Sequence, residues 1–427
     1  MIQVFRSSWA LLFGIFLLMG GNGIIATVLG LRGALEGFSA LQMSVVMTGY
    51  FAGFLGGSSM TPAMIRRVGH VRVFAALGSF ISAALILFPV FTDPWIWTAL
   101  RVLVGFCFAG VYVTAESWLN NASTNETRGS AMAIYGVILT AGIVAAQWFV
   151  SLGDPSGFLL FILPSILVSI SFAPILLTVT PAPAFETAKP MSFVEVFRAS
   201  PLGLVGMVMM GGIYSALFGM ASVYGTEAGL TIGQISTFVA AVYLGGMVLQ
   251  FPIGWISDRA DRRLLILLVS AFGAGGAVLA ALGIGGYYGL LAASFLIGGT
   301  ANPLYALLIA YTNDYLDAAD MPAAAGRLVF ANGLGAVAGP LFTGWLMGQV
   351  GPEGFFVFIF GLMAALAAYA AWRMTRRPAG SVEDSGVYLA AVPAASPVSV
   401  AVFQEAAAEA AEEAAEEAAE DSAMAAS

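Results

Sequence analysis

Arg101 is the most unusual ionisable residue of the chain, because apolar residues surround it on both sides. If this stretch crosses a membrane, the guanidinium is costly to bury and should face a cavity or a partner. In a cavity it would bind an anionic group or tune the protonation of a neighbour. The alternative is structural, with the side chain donating hydrogen bonds to backbone carbonyls or reaching the nearer interface.

Uncharged polar side chains also recur inside apolar stretches. Amides and phenols there either contact a solute or bond neighbouring helices to one another for about 0.6 kcal/mol each. Pro303 lies in one such stretch, and we expect it to break or bend the helix and expose backbone carbonyls, unless it causes only a kink. The polar residues deepest in apolar stretches are Asn22, Gln147, Tyr214, Gln250, Asn302, Tyr305 and Asn332.

Residues of opposite charge flank the ends of the apolar stretches. Ion pairs between them, worth about 0–1 kcal/mol each when exposed, would hold the protein closed in one conformation and separate in another. The alternative is that these charges only set the orientation of the chain in a membrane. The candidate gate residues are Arg67, Glu116, Arg128, Asp258, Arg259, Arg262, Asp314 and Arg327.

Two residue types that often carry chemistry are almost absent. The single cysteine, Cys107, excludes a disulfide framework and a thiolate metal cluster. The single histidine, His70, leaves neither a zinc-protease pair nor a catalytic triad. We therefore expect no enzyme activity, no metal and no cofactor. His70 lies among arginines, so we expect it to be solvated, and a role as a pH sensor is the alternative.

The elements that carry these residues follow from the apolar pattern. Hydrophobic residues make up 59% of the chain and charged residues 9%, against about 25% charged residues in soluble domains. A helix of about twenty apolar residues crosses roughly 30 Å of hydrocarbon. The sequence therefore predicts an all-α integral membrane protein with transmembrane helices over 8–31, 40–64, 73–92, 95–119, 129–150, 157–180, 202–226, 231–256, 263–283, 285–311, 324–348 and 354–375.

Positive charges fall on one side of these twelve helices. With a cytoplasmic N-terminus, all but Arg32 and Arg101 of the 16 Lys and Arg residues lie in cytoplasmic segments, in agreement with the positive-inside rule. The sequence thus predicts a multi-pass protein of the inner (plasma) membrane with both termini in the cytoplasm.

The chain repeats its organisation at about its midpoint. A hydrophilic stretch over 181–201, predicted to be a cytoplasmic loop, separates six predicted helices from six more. Basic motifs follow the second helix of each half, around Arg67 and Arg262. We expect two pseudo-symmetric six-helix bundles, over 1–180 and 202–377, that rock about a site near the membrane midplane.

These motifs resemble the major facilitator superfamily. The segment from Gly254 to Arg263 (GWISDRADRR) resembles the family's signature between helices 8 and 9, with Asp261 in place of the usual second glycine. The first-half loop keeps Arg67 but has Arg66 in place of the acid.

Further motifs extend the resemblance over about residues 8–377. The pattern Arg101-Val-Leu-Val-Gly105 resembles the RxxxG motif of helix 4 in the same superfamily. The segments ESWLN, TRG, NPLYAL and AYTNDYL resemble its bacterial YcaD-like branch.

The resemblance implies that helices 1, 4, 7 and 10 line a central cavity. It thereby favours the polar residues on those helices as contacts of a solute. Gln147, on the fifth helix, is added to this set. The predicted solute-binding residues are therefore Asn22, Arg101, Tyr112, Gln147, Tyr214, Asn302 and Tyr305.

We expect a secondary active transporter that moves a small neutral or weakly anionic organic solute by alternating access. No Walker sequence is present, and no carboxylate lies at the centre of a span, so proton coupling, antiport and facilitated diffusion stay open. The expected partners are a small-molecule substrate and the lipid bilayer, with protons as one option for the coupling ion. We expect a monomer and no binding of nucleic acid. The alternatives are an exporter of drug-like compounds and a non-transporting receptor or scaffold.

The acidity of the chain belongs to its last fifty residues. The segment 378–427 holds 10 of the 24 acids and no Lys or Arg, so that 14 acids against 16 basic residues leave the rest at +2. Glutamates three and four residues apart repel one another in a helix. We therefore expect 378–427 to be a disordered acidic cytoplasmic tail, and a contact with the basic loops is the alternative.

Overall fold

The computed structural model describes residues 2–121, 123, 125–176, 191–317 and 320–376. Their secondary structure is entirely helical, as expected where backbone groups in lipid must be bonded within the segment. The helices are α1 (Ile2–Leu35), α2 (Ala40–Val68), α3 (His70–Leu87), α4 (Pro94–Asn121), α5 (Asn125–Leu152), α6 (Leu159–Leu176), α7 (Phe193–Ala199), α8 (Pro201–Ser215), α9 (Ala221–Glu227), α10 (Ile232–Ser257), α11 (Arg262–Ala281), α12 (Gly286–Asn313), α13 (Met321–Val350) and α14 (Gly354–Met374).

A π-helical segment, Ala216–Met220, joins α8 to α9, and the three form one membrane crossing over 201–227. Ten helices of the described part are long and apolar enough to cross a membrane, this crossing among them. The two other crossings are α2, whose second half carries Gly-Gly-Ser-Ser and Pro62, and α6, whose described apolar stretch is shorter. The predicted twelve-helix membrane fold is confirmed.

Local sequence explains where several helices begin. Ser39 accepts a hydrogen bond from the backbone N–H of Gln42, and the Gln42 side chain accepts one from the backbone of Ser39, which starts α2. Thr231 and Gln234 form the same capping box at the start of α10. The sequence prediction missed a third box, at the start of α7, because this short helix lies in a stretch without long apolar periodicity.

Three expectations about the crossings need correction. Pro303 does not break its helix, since α12 is continuous from Gly286 to Asn313. The crossing predicted over 202–226 is interrupted by the π segment, for which the sequence gives no warning. The third helix also ends earlier than predicted, at Leu87, ahead of the turn that leads to Pro94.

Equivalent helices pack in equivalent ways in the two halves, α1–α6 and α8–α14. In the first half α2 packs on α4, α1 on α5, and α3 on α6; in the second half α10 packs on α12, α8 on α13, and α11 on α14. The closest backbone approaches are also duplicated. A Cβ added at Gly53 would lie 1.9 Å from the carbonyl oxygen of Val102, and one added at Gly245 would lie 1.9 Å from that of Phe295. Only glycine permits either contact.

The first half contacts the second through α2 with α13 and through α5 with α10. We call the face at which α1 begins and α14 ends the terminal face, and the other the opposite face. Near the opposite face the halves pack closely, since a Cβ added at Gly30 would lie 2.2 Å from Ser222 Oγ, and one added at Gly344 would lie 2.4 Å from Ser44 Cβ. Contacts between α2 and α13 continue to the level of Leu55.

Candidate functional site

A cavity lies between the two halves at about the mid-depth of the helices. It is formed by α2, α4, α5, the crossing over 201–227 and α13. Its volume is about 620 Å³, with the space at its opening included. Six of its thirteen lining residues are aromatic, and we call it the aromatic cavity. The lining residues are Tyr50, Phe51, Phe54, Leu55, Ser58, Tyr112, Ile143, Tyr214, Phe218, Val329, Asn332, Gly333 and Ala336.

The rings of the aromatic cavity contact one another across the boundary between the halves. Tyr214 and Phe218 are stacked at 14° with centroids 5.8 Å apart. The Phe218 ring in turn lies 5.7 Å from that of Tyr50 in the first half. Offset stacks of this kind are also how a protein ring receives a planar ligand.

Polar groups on the cavity wall are few and uncharged. The side-chain oxygen of Asn332 is buried and has no hydrogen-bond partner among the described residues. Ser58 supplies a hydroxyl, and its Oγ donates to the Leu55 carbonyl. No Asp, Glu, Lys or Arg is among the lining residues of the described part. A solute here would meet ring faces and a free amide acceptor, not a charge.

Arg101, predicted to bind solute, lies behind this wall. Its guanidinium carbon is 4.4 Å from the centroid of the Tyr50 ring, which separates it from the cavity. The side chain is fully buried, and its nitrogens have no hydrogen-bond partner among the described residues. Asn22, also buried, donates from Nδ2 to the hydroxyls of Tyr50 and Tyr112, both at 3.4 Å. Both predicted residues thus support the cavity wall.

A second, smaller cavity lies toward the opposite face, on the other side of Phe218 and Ile143, which line both cavities. Its non-atom space is about 240 Å³. We call it the polar pocket, because an amide and several hydroxyl-bearing side chains surround it. It is lined by Gly23, Ala26, Thr27, Ile143, Gln147, Phe218, Ala221, Ser222, Val239 and Tyr243.

The predicted residues of α12 lie away from both cavities. Asn302 packs against α10, where a Cβ added at Gly246 would lie 2.2 Å from its Nδ2 atom. Tyr305 is fully buried, and its hydroxyl has no hydrogen-bond partner among the described residues. Of the seven predicted residues, Tyr112 and Tyr214 line the aromatic cavity and Gln147 lines the polar pocket.

Arg262 is the centre of an ion-pair cluster among the predicted gate residues. Its guanidinium donates to Asp314, at the end of α12, and to Ser257 Oγ at 3.2 Å. It also lies 3.7 Å from Asp258. These contacts lie within the second half and join α10, α11 and α12 at the terminal face.

The other predicted gate residues lie apart from this cluster. Arg259 is exposed and stacks on Trp255 of its own segment, 4.4 Å from the ring centroid. Arg327 donates from Nε to the carbonyl of Met191 and lies over the ring of Phe193, which ties α13 to α7. Arg67 is exposed at the end of α2.

Glu116 is fully buried on α4. It interacts electrostatically with Tyr135 on α5, in its own half, and with Tyr305 on α12, in the other half. The side chain of Arg128, also a predicted gate residue, lies outside the described residues.

The expectation that His70 is solvated is wrong. Its ring is 1% exposed, and its Nε2 atom lies 3.0 Å from Ser117 Oγ. The reason is that α3 begins at His70 itself and packs on α4, which turns the ring inward.

Sequence reasoning missed most of the aromatic wall. Tyr50, Phe51, Phe54 and Phe218 were not among the predicted residues, because phenylalanine and tyrosine are common on every surface of a membrane helix. Asn332 was noted as a deep polar residue but not chosen, because the family pattern favoured helix 10. The sequence signal that could have identified Asn332 is an amide within an apolar, Gly-rich helix.

Comparison with known proteins agrees with this architecture. Residues 11–239 and 225–405 match the model of the Major Facilitator Superfamily. The uncharacterized MFS-type transporter YcaD of Escherichia fergusonii is 27% identical over 358 residues, which cover 83% of this chain and 92% of that protein. An uncharacterized MFS-type transporter of Yersinia pestis is 26% identical over 356 residues, with 82% and 92% covered.

Solved structures show the same fold at low identity. A variant of the nucleoside transporter NupG superposes with a TM-score of 0.74 and 15% identity, covering 86% of this chain and 99% of that one. A bacterial homolog of the human lysosomal transporter Spinster, in an inward-facing and unoccupied conformation, gives a TM-score of 0.64 at 14% identity, with 93% and 97% covered. Both family matches together span well over half of the sequence, and the chain belongs to the Major Facilitator Superfamily of membrane transporters.

Proposed function

We propose that this transporter is a secondary carrier that moves small, planar, uncharged or weakly anionic organic solutes across the inner membrane by alternating access. The observation that carries the proposal is the aromatic cavity between the halves, which presents six rings and no charged side chain among its described lining residues. Stacking on aromatic rings favours planar solutes. A cationic solute would find no carboxylate on this wall.

The position of the cavity supports alternating access. Contacts between the halves run from the opposite face to the level of Leu55 and Gly333, and the cavity wall continues past that level toward the terminal face with Ser58 and Val329. Because α2 with α13 and α5 with α10 are equivalent pairs in the duplicated halves, rocking about the midplane would exchange the closed and the open face. The basic residues at the terminal face support a cytoplasmic assignment of that face.

Arg101 supports tolerance of a weakly anionic group. A buried guanidinium without a partner among the described residues lies one ring away from the cavity. A rotation of Tyr50 would bring it within reach of an anionic substituent. The charge of the guanidinium also makes the electrostatic potential in the cavity more positive, which favours a solute with a partial negative charge.

A solute-exchange panel tests the proposal. The purified protein in lipid vesicles is loaded with members of four classes: uncharged planar heteroaromatics, aromatic carboxylates, uncharged polyols and organic cations. We expect exchange of the planar class, slower exchange of the carboxylates and none of the cations. Exchange confined to polyols or cations, or to no class at all, contradicts the proposal.

A matched pair of variants separates the cavity from general packing. Phe218→Leu removes a ring that borders the cavity, whereas Phe272→Leu removes a ring that is 66% exposed on the outer surface. We expect exchange to fall at least tenfold in Phe218→Leu and to stay at the wild-type rate in Phe272→Leu. Repeating the assay with and without a proton ionophore then decides between proton coupling and facilitated diffusion.

A further inference from the structure

The polar pocket and the aromatic cavity are separated by Phe218 and Ile143. Phe218 lines both, and it sits in the middle of the π segment Ala216–Met220. Single-turn π segments inside α-helices are rare and occur frequently at functional sites. A π turn holds one more residue than an α turn, so it sets the rotation of Phe218 independently of the α-helical register on either side.

Both halves contribute to the polar pocket. Gln147 and Thr27 come from α5 and α1, and Ser222 comes from α9. All three side chains are at most 3% exposed. The polar side chains of the pocket are therefore buried at the boundary that must rearrange in transport.

The amide of Gln147 is held loosely. Its Oε1 accepts a hydrogen bond from Thr27 Oγ1 at 3.0 Å, but its Nε2 donates to the carbonyls of Gly23 and Ile143 only at 3.4 Å, near the limit for a hydrogen bond. The Ser222 hydroxyl likewise reaches the carbonyl of Ala26 only at 3.4 Å. These donors can exchange a weak internal bond for a stronger one to a ligand at little cost.

We propose that the polar pocket is a second subsite of the same solute path, which holds the carboxamide or similar donor–acceptor edge of an uncharged solute whose ring stacks in the aromatic cavity. This inference rests on the proposed function and narrows its substrate class. A side-chain amide offers one donor face and one acceptor, which is the complement of another amide edge. Phe218 must then swing aside for a solute to occupy both cavities.

Two probes of similar shape test the subsite. Quinoline-3-carboxamide carries a donor–acceptor edge, and 3-ethylquinoline replaces that edge with an alkyl group. Binding of each to the full-length protein in nanodiscs is measured by calorimetry. We expect Gln147→Leu to weaken the carboxamide at least tenfold and to leave the ethyl compound unchanged, because a site with buried polar groups discriminates against a ligand that lacks their partners.

Three further variants make the result specific. Ser222→Ala, from the other half, should weaken the carboxamide selectively as well, which keeps the test valid if Gln147→Leu does not fold. Tyr214→Leu should weaken both probes, because it removes a ring of the aromatic cavity. Gln250→Leu removes a buried amide that lines neither cavity, and it should affect neither probe.

The outcomes separate this inference from the proposed function. If the wild type does not bind the carboxamide, or if Gln147→Leu and Ser222→Ala weaken both probes equally or neither, the polar subsite is overturned. The proposed function then still stands or falls on the exchange panel. If the panel shows no exchange of planar solutes, the proposed function fails, and the subsite fails with it.

Discussion

The guanidinium carbon of Arg101 lies 4.4 Å from the centroid of the Tyr50 ring, and both residues are buried in the first half. The contact is a cation–π interaction, which is strongest when it is desolvated. Tyr50 also accepts a hydrogen bond from Asn22 and faces the aromatic cavity. Arg101 therefore positions a wall of the candidate site from behind.

This relationship predicts that Arg101→Ala lowers transport at least tenfold without preventing membrane insertion. Arg101→Lys should recover only part of the activity, because an ammonium lacks the planar face that stacks on a ring. The measurement is exchange of a planar solute in vesicles, with insertion checked by the yield of monodisperse protein. Arg376→Ala, which removes a cation–π contact with Trp372 on the exposed end of α14, is the matched control and should leave exchange unchanged. If Arg101→Ala exchanges solute at the wild-type rate, Arg101 does not contribute to the candidate site.

Closure of the opposite face depends on a glycine contact between the halves. A Cβ at Gly30 would lie 2.2 Å from Ser222 Oγ and 3.0 Å from the backbone nitrogen of Val223, so the neighbouring backbone must move. We expect Gly30→Ala to shift the population toward the state that is open at that face. A cysteine introduced at Ala26, in the polar pocket, should then react several-fold faster with an impermeant maleimide added from that side.

The control for this shift is Gly275→Ala, since no atom of the described part lies within 4 Å of a Cβ added there. Cys107 is buried and does not compete for the reagent. Equal reactivity of the introduced cysteine in the Gly30→Ala and Gly275→Ala backgrounds would show that the glycine contact does not govern closure.

The membrane fold could be predicted from sequence because its signals are local. A run of about twenty apolar residues defines a crossing wherever it occurs, and the cost of a charge at Arg101 marks it as buried. The duplication was also visible, because equivalent motifs follow the second helix of each half. Helix ends with capping boxes, as at Ser39 and Thr231, lie within one residue of the predicted limits.

The site was harder to predict because it depends on how each helix is rotated. Asn302 and Asn332 are both amides in apolar, Gly-rich helices, yet only Asn332 faces the aromatic cavity while Asn302 packs on Gly246. Phe218 lines two cavities because of a π segment that has no local sequence signature. The rotation and register of each helix are set by packing between segments that are distant in the sequence. A single sequence does not reveal which segments pack together.

The ion pair between Arg262 and Asp314 predicts a large effect of a small substitution. Arg262 is 2% exposed, and Asp314→Asn would remove the nearer of its two carboxylate partners and leave Asp258 at 3.7 Å. Breaking a buried pair from one side costs about 3–5 kcal/mol, and we expect a clear drop in the apparent melting temperature in detergent. Asp258→Asn is the control, because Asp258 is 35% exposed and lies 3.7 Å from Arg262. It should cost about 0–1 kcal/mol, so equal shifts in the two variants would contradict the assignment.

Asp261, at the position where a glycine is usual in the family, predicts a dependence of stability on pH. Its carboxylate caps α11 by accepting from the backbone N–H of Arg263 at 2.9 Å, and it pairs with the Arg263 guanidinium at 2.8 Å. Burial raises the pKa of this carboxyl, but the hydrogen bonds from Arg263 and from the backbone outweigh burial and hold the pKa below its usual value. Its contribution to stability is therefore complete above the unfolded-state pKa of about 3.9 and is lost as pH falls through the folded-state pKa.

Melting temperatures of the wild type and two variants test this link. Asp261→Ala removes the cap and should cost about 1 kcal/mol at pH 7. Asp261→Asn keeps a capping oxygen and loses only a partly exposed ion pair, so it should cost about 0–1 kcal/mol. Because the wild-type carboxyl is neutral at sufficiently low pH, the difference between the wild type and Asp261→Asn should shrink as pH falls below about 4. A difference that stays constant from pH 7 to pH 3 would show that the charge of Asp261 does not stabilise the start of α11.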